Sequence, residues 1–137
     1  MGVYVYERRI FIYFRGEHDF LSNFYKCNVE HEGVIYSSVE NAFQDAKTLD
    51  LIGRRQFENC TAREAKKLGK KVKLRSDWES VKVKIMCNLV FQKFNNSEYL
   101  RTRLLIVQDK IIEENFWHDN FWGICKCGRC TGGYNML

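Results

Sequence analysis

Residues 37–50 read SSVENAFQDAKTLD. Apolar residues recur at Val39, Ala42, Phe43, Ala46 and Leu49, the spacing of a helix with one face on a core. Ser37, followed three residues later by Glu40, has the form of a capping box that would start this helix. At about 100° per residue, Glu40, Gln44 and Lys47 fall on one polar stripe beside the apolar stripe of Val39, Phe43 and Ala46. A carboxylate, an amide and an amine therefore project together at the edge of the core. The plainer reading makes Glu40 a capping residue, Gln44 a spacer and Lys47 a solvated surface lysine.

The segments on either side set the fold class. Upstream, RRIFIYF (residues 8–14) is rich in aromatic and β-branched residues, and CNVEHEGVIY (27–36) reads as two short strands meeting at Glu32-Gly33. Downstream, Thr61 with Glu64 and Ser76 with Glu79 repeat the capping pattern, predicting helices over about 62–69 and 77–94, and a further helix is expected from Glu98 to Gln108. Strands followed by helices predict an α+β domain, mostly helical, with a small antiparallel β region.

With 137 residues, 45% of them hydrophobic, the chain can bury one core, and it has no proline, repeat or linker-like tract to divide it. One domain over residues 1–137 is expected. No stretch approaches the roughly 20 apolar residues of a membrane span, and the N-terminus lacks a signal-peptide pattern, so a cytoplasmic protein without a membrane partner is expected. The formal net charge of +5 favours phosphate-bearing partners. Its densest source is AREAKKLGKKVKLR (62–75), which equally reads as a solvated helix face.

Two further clusters carry candidate chemistry. In RSDWESVKVKIM (75–86), Trp78 opens a helix, as a core plug or as a platform for a base, and Arg75 and Lys82 flank it as phosphate contacts or ordinary exposed cations. In DNFWGICKCGRC (119–130), Asp119 sits among Trp117, Phe121 and Trp122, where partial desolvation suits a carboxylate that stabilises a cationic transition state. Cys125, Cys127 and Cys130 follow at once. They supply three thiolates where a structural zinc site normally takes four ligands, so His118, Cys27, Cys60 or Cys87 would have to complete it. A glycine-cysteine spacer without metal is the expectation, and no cofactor is expected.

Taken in order, FRGEHDFLSNFY, GVIYSSVENAFQDAK, RSDWESVKVKIM, QKF, DNFWG and GGYNML resemble the NADAR superfamily, also called YbiA-like, from about Phe14 to the end. That resemblance implies a compact, largely helical α+β domain and an N-glycosidase related to enzymes acting on riboflavin-pathway intermediates or on ADP-ribose attached to guanine. It matches Glu40 and Gln44 to the family's S-x-E-H/N-x-x-Q motif, Trp78 to its D/N-W-E tryptophan, and Asp119, Trp122 and Gly123 to D-x-x-W-G. Asn23 and Phe24 match S-N-F, Glu114 the acid before the last loop, and Asn135 the asparagine of G-x-N-x-L-G. The expected catalytic residues are then Glu40, Asp119 and Lys47. The expected substrate-binding set is Asn23, Phe24, Tyr36, Gln44, Arg75, Trp78, Lys82, Glu114, Trp122, Gly123 and Asn135. Family members usually continue into a closing helix, which this chain is expected to lack.

Breaking a ribose N-glycosidic bond places positive charge on C1′ and the ring oxygen, so an anion near C1′ and a holder for the departing base are needed. Asp119 or Glu40 suits the first task and Trp78 the second. Alternatively, Lys47 could attack the opened sugar as an amine and form a Schiff base. The expected partner is a nucleotide-type small molecule or ADP-ribosylated nucleic acid. Two non-enzymatic alternatives are a nucleotide or nucleic-acid binding module without chemistry, and a zinc-stabilised interaction domain.

Overall fold

The computed structural model describes residues 9–12, 14–107, 110–115, 118–130 and 136. Strand β1 (Arg9–Ile12) is followed by a 3-10 helix (Gly16–Leu21) and the hairpin β2 (Val29–His31) and β3 (Val34–Tyr36). Then come helices α1 (Val39–Asp45) and α2 (Leu51–Arg54), a 3-10 turn (Arg55–Phe57), and helices α3 (Ala62–Gly69), α4 (Trp78–Asn95) and α5 (Glu98–Ile106). Strands β4 (Lys110–Asn115) and β5 (Ile124–Cys125) complete the described elements. The α+β class with a helical majority is as expected, and no helix among the described residues is long and apolar enough to cross a membrane.

The hairpin turns where the sequence places it. His31 pairs with Val34, which leaves Glu32 and Gly33 as a two-residue loop with φ of 48° and 84°. Two positive φ values define the type I′ turn, whose twist matches that of paired strands. The strand content is larger than the expected antiparallel region, however. β1 runs parallel to β4, with Arg9 opposite Lys110, and β4 runs parallel to β5, with Glu114 opposite Ile124. This second sheet joins the two ends of the chain across the whole helical body. Parallel pairing of that kind leaves no local signature, because the partners meet only after the intervening helices have packed.

Helix starts also differ in detail. The side chain of Ser38, not Ser37, accepts from the Asn41 backbone N–H at 3.1 Å, and its hydroxyl donates to Asn41 Oδ1 at 2.6 Å. Glu40 is thereby released from the capping role, and its side chain turns inward. Thr61 and Glu64 form the full reciprocal box that starts α3. Ser76 caps nothing: Asp77 occupies the cap position of α4 without a side-chain cap bond, its carboxylate being held by the Arg75 guanidinium. Helix α4 covers nearly the predicted span, and α5 ends two residues early, at Ile106.

α1 is the central element. All seven of its residues are buried, including Glu40, Asn41, Gln44 and Asp45. Its apolar side, Val39, Ala42 and Phe43, joins Val29, Phe57, Ala65, Trp78 and Leu89 in the main core. Each fully buried aliphatic or aromatic side chain contributes about 1.5–3 kcal/mol. Most of the polar groups have specific partners, Gln44 Oε1 and Asp45 Oδ1 being the exceptions. Asn41 Nδ2 donates to the carbonyls of Phe57 at 3.1 Å and Cys60 at 2.8 Å, tying the loop before α3 to the helix. The fully buried Asp45 carboxylate accepts from Arg54 Nε at 2.9 Å, and the same guanidinium reaches Glu32 in the hairpin turn. Lys93 of α4, also buried, donates its ammonium to the Ser22 carbonyl at 2.7 Å and anchors the segment that carries Asn23 and Phe24.

Arg54→Met retains most of the apolar stem but leaves Asp45 as an uncompensated buried charge. Urea denaturation should register a loss of about 3–5 kcal/mol, and a loss below one third of that would show that Asp45 finds other compensation.

Candidate active site

A cleft of about 790 Å³ opens between α1, the segment around residues 14–25 and the loop after β4. That volume lies within the roughly 300–1,000 Å³ usual for small-ligand sites. Glu40, Gln44 and Lys47 line it together, so the polar stripe of α1 faces a cavity instead of open solvent.

Burial sets the chemistry of this stripe. Glu40 is 7% exposed, and desolvation pushes its carboxyl above the usual range, with the nearby Asp119 carboxylate adding to the effect. The hydrogen bond from Gln44 Nε2 at 2.7 Å and the ammonium groups of Lys66 and Lys47 oppose this, but burial outweighs them. For Lys47 desolvation acts in the opposite direction, lowering the amine despite the attraction of Glu40. Both groups are thus shifted toward their neutral forms. Such divergent shifts within one cleft are typical of catalytic pairs.

The neighbouring elements hold the stripe in place. Gly69 of α3 lies against Gln44: a Cβ there would come within 1.8 Å of Gln44 Oε1, so only glycine leaves room for the amide that supports Glu40. The Glu40 backbone N–H donates to the Asn23 carbonyl at 3.0 Å, tying the S-N-F segment to the start of α1. Asn23 Nδ2 itself contacts Met86 Sδ at 3.6 Å. On the opposite side, Asp119 Oδ1 accepts from the backbone N–H groups of Phe121 at 3.1 Å and Trp122 at 2.9 Å, which fixes the carboxylate against its own loop. Trp122 then packs edge-on against Phe43 of α1, with ring centroids 5.6 Å apart.

Of the expected site residues, Asn23, Phe24, Glu40, Gln44, Lys47, Asp119 and Trp122 meet at the cleft. Several others do not line it. Trp78 is 6% exposed and its ring packs on Phe43 at 5.0 Å, so it buttresses the wall from behind and offers no surface for a base. Tyr36 is buried on β3, where desolvation and then the Asp45 carboxylate raise its hydroxyl pKa. Arg75 pairs with Asp77, and its backbone N–H donates to the Lys47 carbonyl at 2.7 Å, positioning the end of the stripe without entering the cleft. Lys82 pairs with Glu79 at 2.6 Å and lies 4.0 Å from the centre of the Phe121 ring. Gly123, in the same loop as Asp119, is buried. Glu114 is placed by its backbone on β4, opposite Ile124, and Asn135 lies outside the described residues.

The cleft also contains residues that sequence reasoning did not select. Lys66 of α3 enters the lining, 5.6 Å from the centre of the Phe24 ring. Arg15, upstream of the S-N-F segment, lines it too. Phe24, 41% exposed, and Trp122 offer aromatic surfaces to a ligand, beside Phe14, Tyr25 and Phe43 in the same lining. The signal for Lys66 was its place in the basic run of α3. Only the packing of α3 on α1 separates it from its surface neighbours.

The sequence and the fold have counterparts among known proteins. The profile of the NADAR domain family matches residues 11–137, and the chain belongs to that family. It is similar to a riboflavin biosynthesis protein of Vibrio vulnificus, at 30% identity over 123 residues covering 87% of this chain and 34% of that protein. An N-glycosidase of Nostoc punctiforme is 32% identical over 126 residues, covering 85% of this chain and 76% of the relative. The NMR structure of the Escherichia coli protein YbiA has a similar fold, with a TM-score of 0.76 at 27% identity, covering 87% of this chain and 73% of that one.

The direction of the Glu40 shift yields a stability test. Below the ordinary carboxyl pKa, Glu40 is protonated folded or unfolded and adds no pH dependence. As pH rises through that value the unfolded chain ionises first, so the buried acid weakens the fold progressively toward neutral pH. Glu40→Gln removes this burden while retaining an acceptor for Gln44. The variant should melt at a higher temperature than the native protein at pH 7.5, with the difference vanishing near pH 4; a lower melting temperature at pH 7.5 would mean that the ionised carboxylate is favoured in place.

Proposed function

We propose that this chain is an N-glycosidase, a hydrolase that cleaves the bond between C1′ of a phosphate-bearing ribose and the nitrogen of a heterocycle. The observation that carries the proposal is the placement of Glu40, Lys47 and Asp119 on one cleft, with burial moving the first two toward their neutral forms. In this reading the C1′–N bond breaks with its electron pair going to nitrogen, which takes the proton of Glu40. The anchored Asp119 carboxylate faces the cationic C1′. Water adds to C1′ and gives up a proton to the Glu40 carboxylate, which restores the acid. Phe24 and Trp122 sandwich or flank the base, the task assigned from the sequence to Trp78, and Arg15 and Lys66 attract the phosphates.

A second reading is favoured by the lowered Lys47 amine. If the sugar opens to an iminium at C1′, Lys47 Nζ can add there and expel the heterocycle as its free amine. The resulting lysine imine is then hydrolysed by water to the sugar aldehyde, and the lysine is regenerated. This route requires the scissile nitrogen to be an amino substituent of the base, as it is in a phosphoribosylamino-pyrimidine or in ADP-ribose on the guanine amino group. The relatives named N-glycosidase support the bond class, and the relative named for riboflavin biosynthesis supports the first of these substrates.

The test is a mass-spectrometric assay of the purified chain against ADP-ribosylated guanine in DNA, NAD and a phosphoribosylamino-pyrimidine. Release of the base from one of them, reduced about a hundredfold or more in Glu40→Gln and Asp119→Asn, is the expected result and identifies the substrate. Turnover unaffected by both substitutions would overturn the site assignment, and folded protein that binds but turns over none would leave a binding module. Borohydride added during turnover should trap a sugar adduct on Lys47 if the imine route operates; the absence of an adduct leaves direct hydrolysis.

A further inference from the structure

The cysteine run was expected to be a spacer, but folding brings two of its thiols to a histidine. His118 Nδ1 lies 3.3 Å from Cys130 Sγ and 3.4 Å from Cys127 Sγ, and the three atoms lie within 4.8 Å of one another. With zinc–sulfur bonds of about 2.3 Å and zinc–nitrogen bonds of about 2.0–2.1 Å, a tetrahedral ion places its nitrogen and sulfur ligands about 3.5–3.6 Å apart. The observed separations agree with this to within a few tenths of an ångström.

The surrounding backbone fits the same role. Cys127 and Cys130 have the Cys-x-x-Cys spacing of a zinc knuckle. Gly128 between them has φ of 85°, the left-handed conformation that lets the chain turn back within the knuckle. The Arg129 backbone N–H donates to Cys127 Sγ at 3.4 Å and helps to fix the position of that sulfur. His118 has φ of 67°, an unusual conformation for a histidine, which directs its ring at the knuckle from the preceding loop.

We propose that His118, Cys127 and Cys130 bind a zinc ion, which staples the loop after β4 to the loop after β5. The consequence for the cleft is geometric: His118 directly precedes Asp119, so an ion fixed at the knuckle would hold the loop that presents Asp119 and Trp122. Three protein ligands leave one coordination position for water or a further donor. Zinc binding of this kind is independent of the glycosidase reading, because none of its ligands lines the cleft.

The test uses the full chain prepared with zinc and freed of loosely bound metal. Elemental analysis should find one zinc per chain, falling to none in Cys127→Ser/Cys130→Ser, while Glu40→Gln keeps its ion. Cobalt exchanged into the native protein should give tetrahedral d–d bands and a thiolate-to-cobalt charge-transfer band, a readout that does not depend on any variant folding. Zinc should also protect Cys127 and Cys130 from alkylation while the exposed Cys87 reacts. A native chain that binds no stoichiometric zinc, a cobalt spectrum without thiolate bands, retention of zinc by the double variant, or a Cys127–Cys130 disulfide in the purified protein would each overturn the proposal.

Discussion

A short helix carrying four buried polar side chains needs partners for them from outside itself, and α1 imposes that condition on the rest of the molecule even with Gln44 Oε1 and Asp45 Oδ1 left without a hydrogen bond. Asn41 is satisfied by the carbonyls before α3, Asp45 by Arg54, and Glu40 by Gln44. Buried polar groups left without partners cost several times what a typical hydrogen bond contributes, so these pairings constrain where the hairpin, α2 and α3 can lie. The same constraint creates the site. Glu40 can be held away from water because its neighbours on the helix are committed to holding the elements around it.

The cleft combines two demands that oppose each other. Desolvation moves Glu40 toward its protonated form, as the proposed acid requires, whereas the stability of the fold is better served by a neutral isostere in the same place. Lys47 is subject to the mirror-image tension. Gln44 stands between them, four residues from Glu40 and packed against Gly69, so the support for the acid depends on a glycine from another helix. Asp119 is held differently, its Oδ1 accepting from two backbone N–H groups of its own loop. A zinc staple one residue before it would further anchor that loop.

Much of this was legible from the order of residues alone. The period of Val39, Ala42, Phe43 and Ala46 marks α1, and the Thr61–Glu64 box marks α3, because both signals lie within a turn or two of helix. The hairpin turn at Glu32-Gly33 is equally local. The α1 stripe follows from helical geometry, and matching it to a family motif made it a candidate site instead of a surface. Trp78 shows where such reasoning stops. Its type and position suit stacking on a base as well as packing in a core, and only the placement of Phe43 against it decides for the core. Ser37 and Ser38 are likewise indistinguishable as caps until the entry of the chain into α1 is known.

The sequence by itself determined helices α1, α3, α4 and α5, the β2–β3 hairpin, the α+β class and the polar stripe of α1, because capping, periodicity and turn chemistry act over a few neighbouring residues. Tertiary structure decided what that stripe faces. It joined β1 to β4 across the helical body, brought Lys66 and Arg15 to the cleft, removed Tyr36 and Trp78 from it, and gathered His118 with Cys127 and Cys130. These outcomes depend on contacts between distant segments, and on a desolvation that exists only after the core has closed. Neither has any counterpart in the local order of residues.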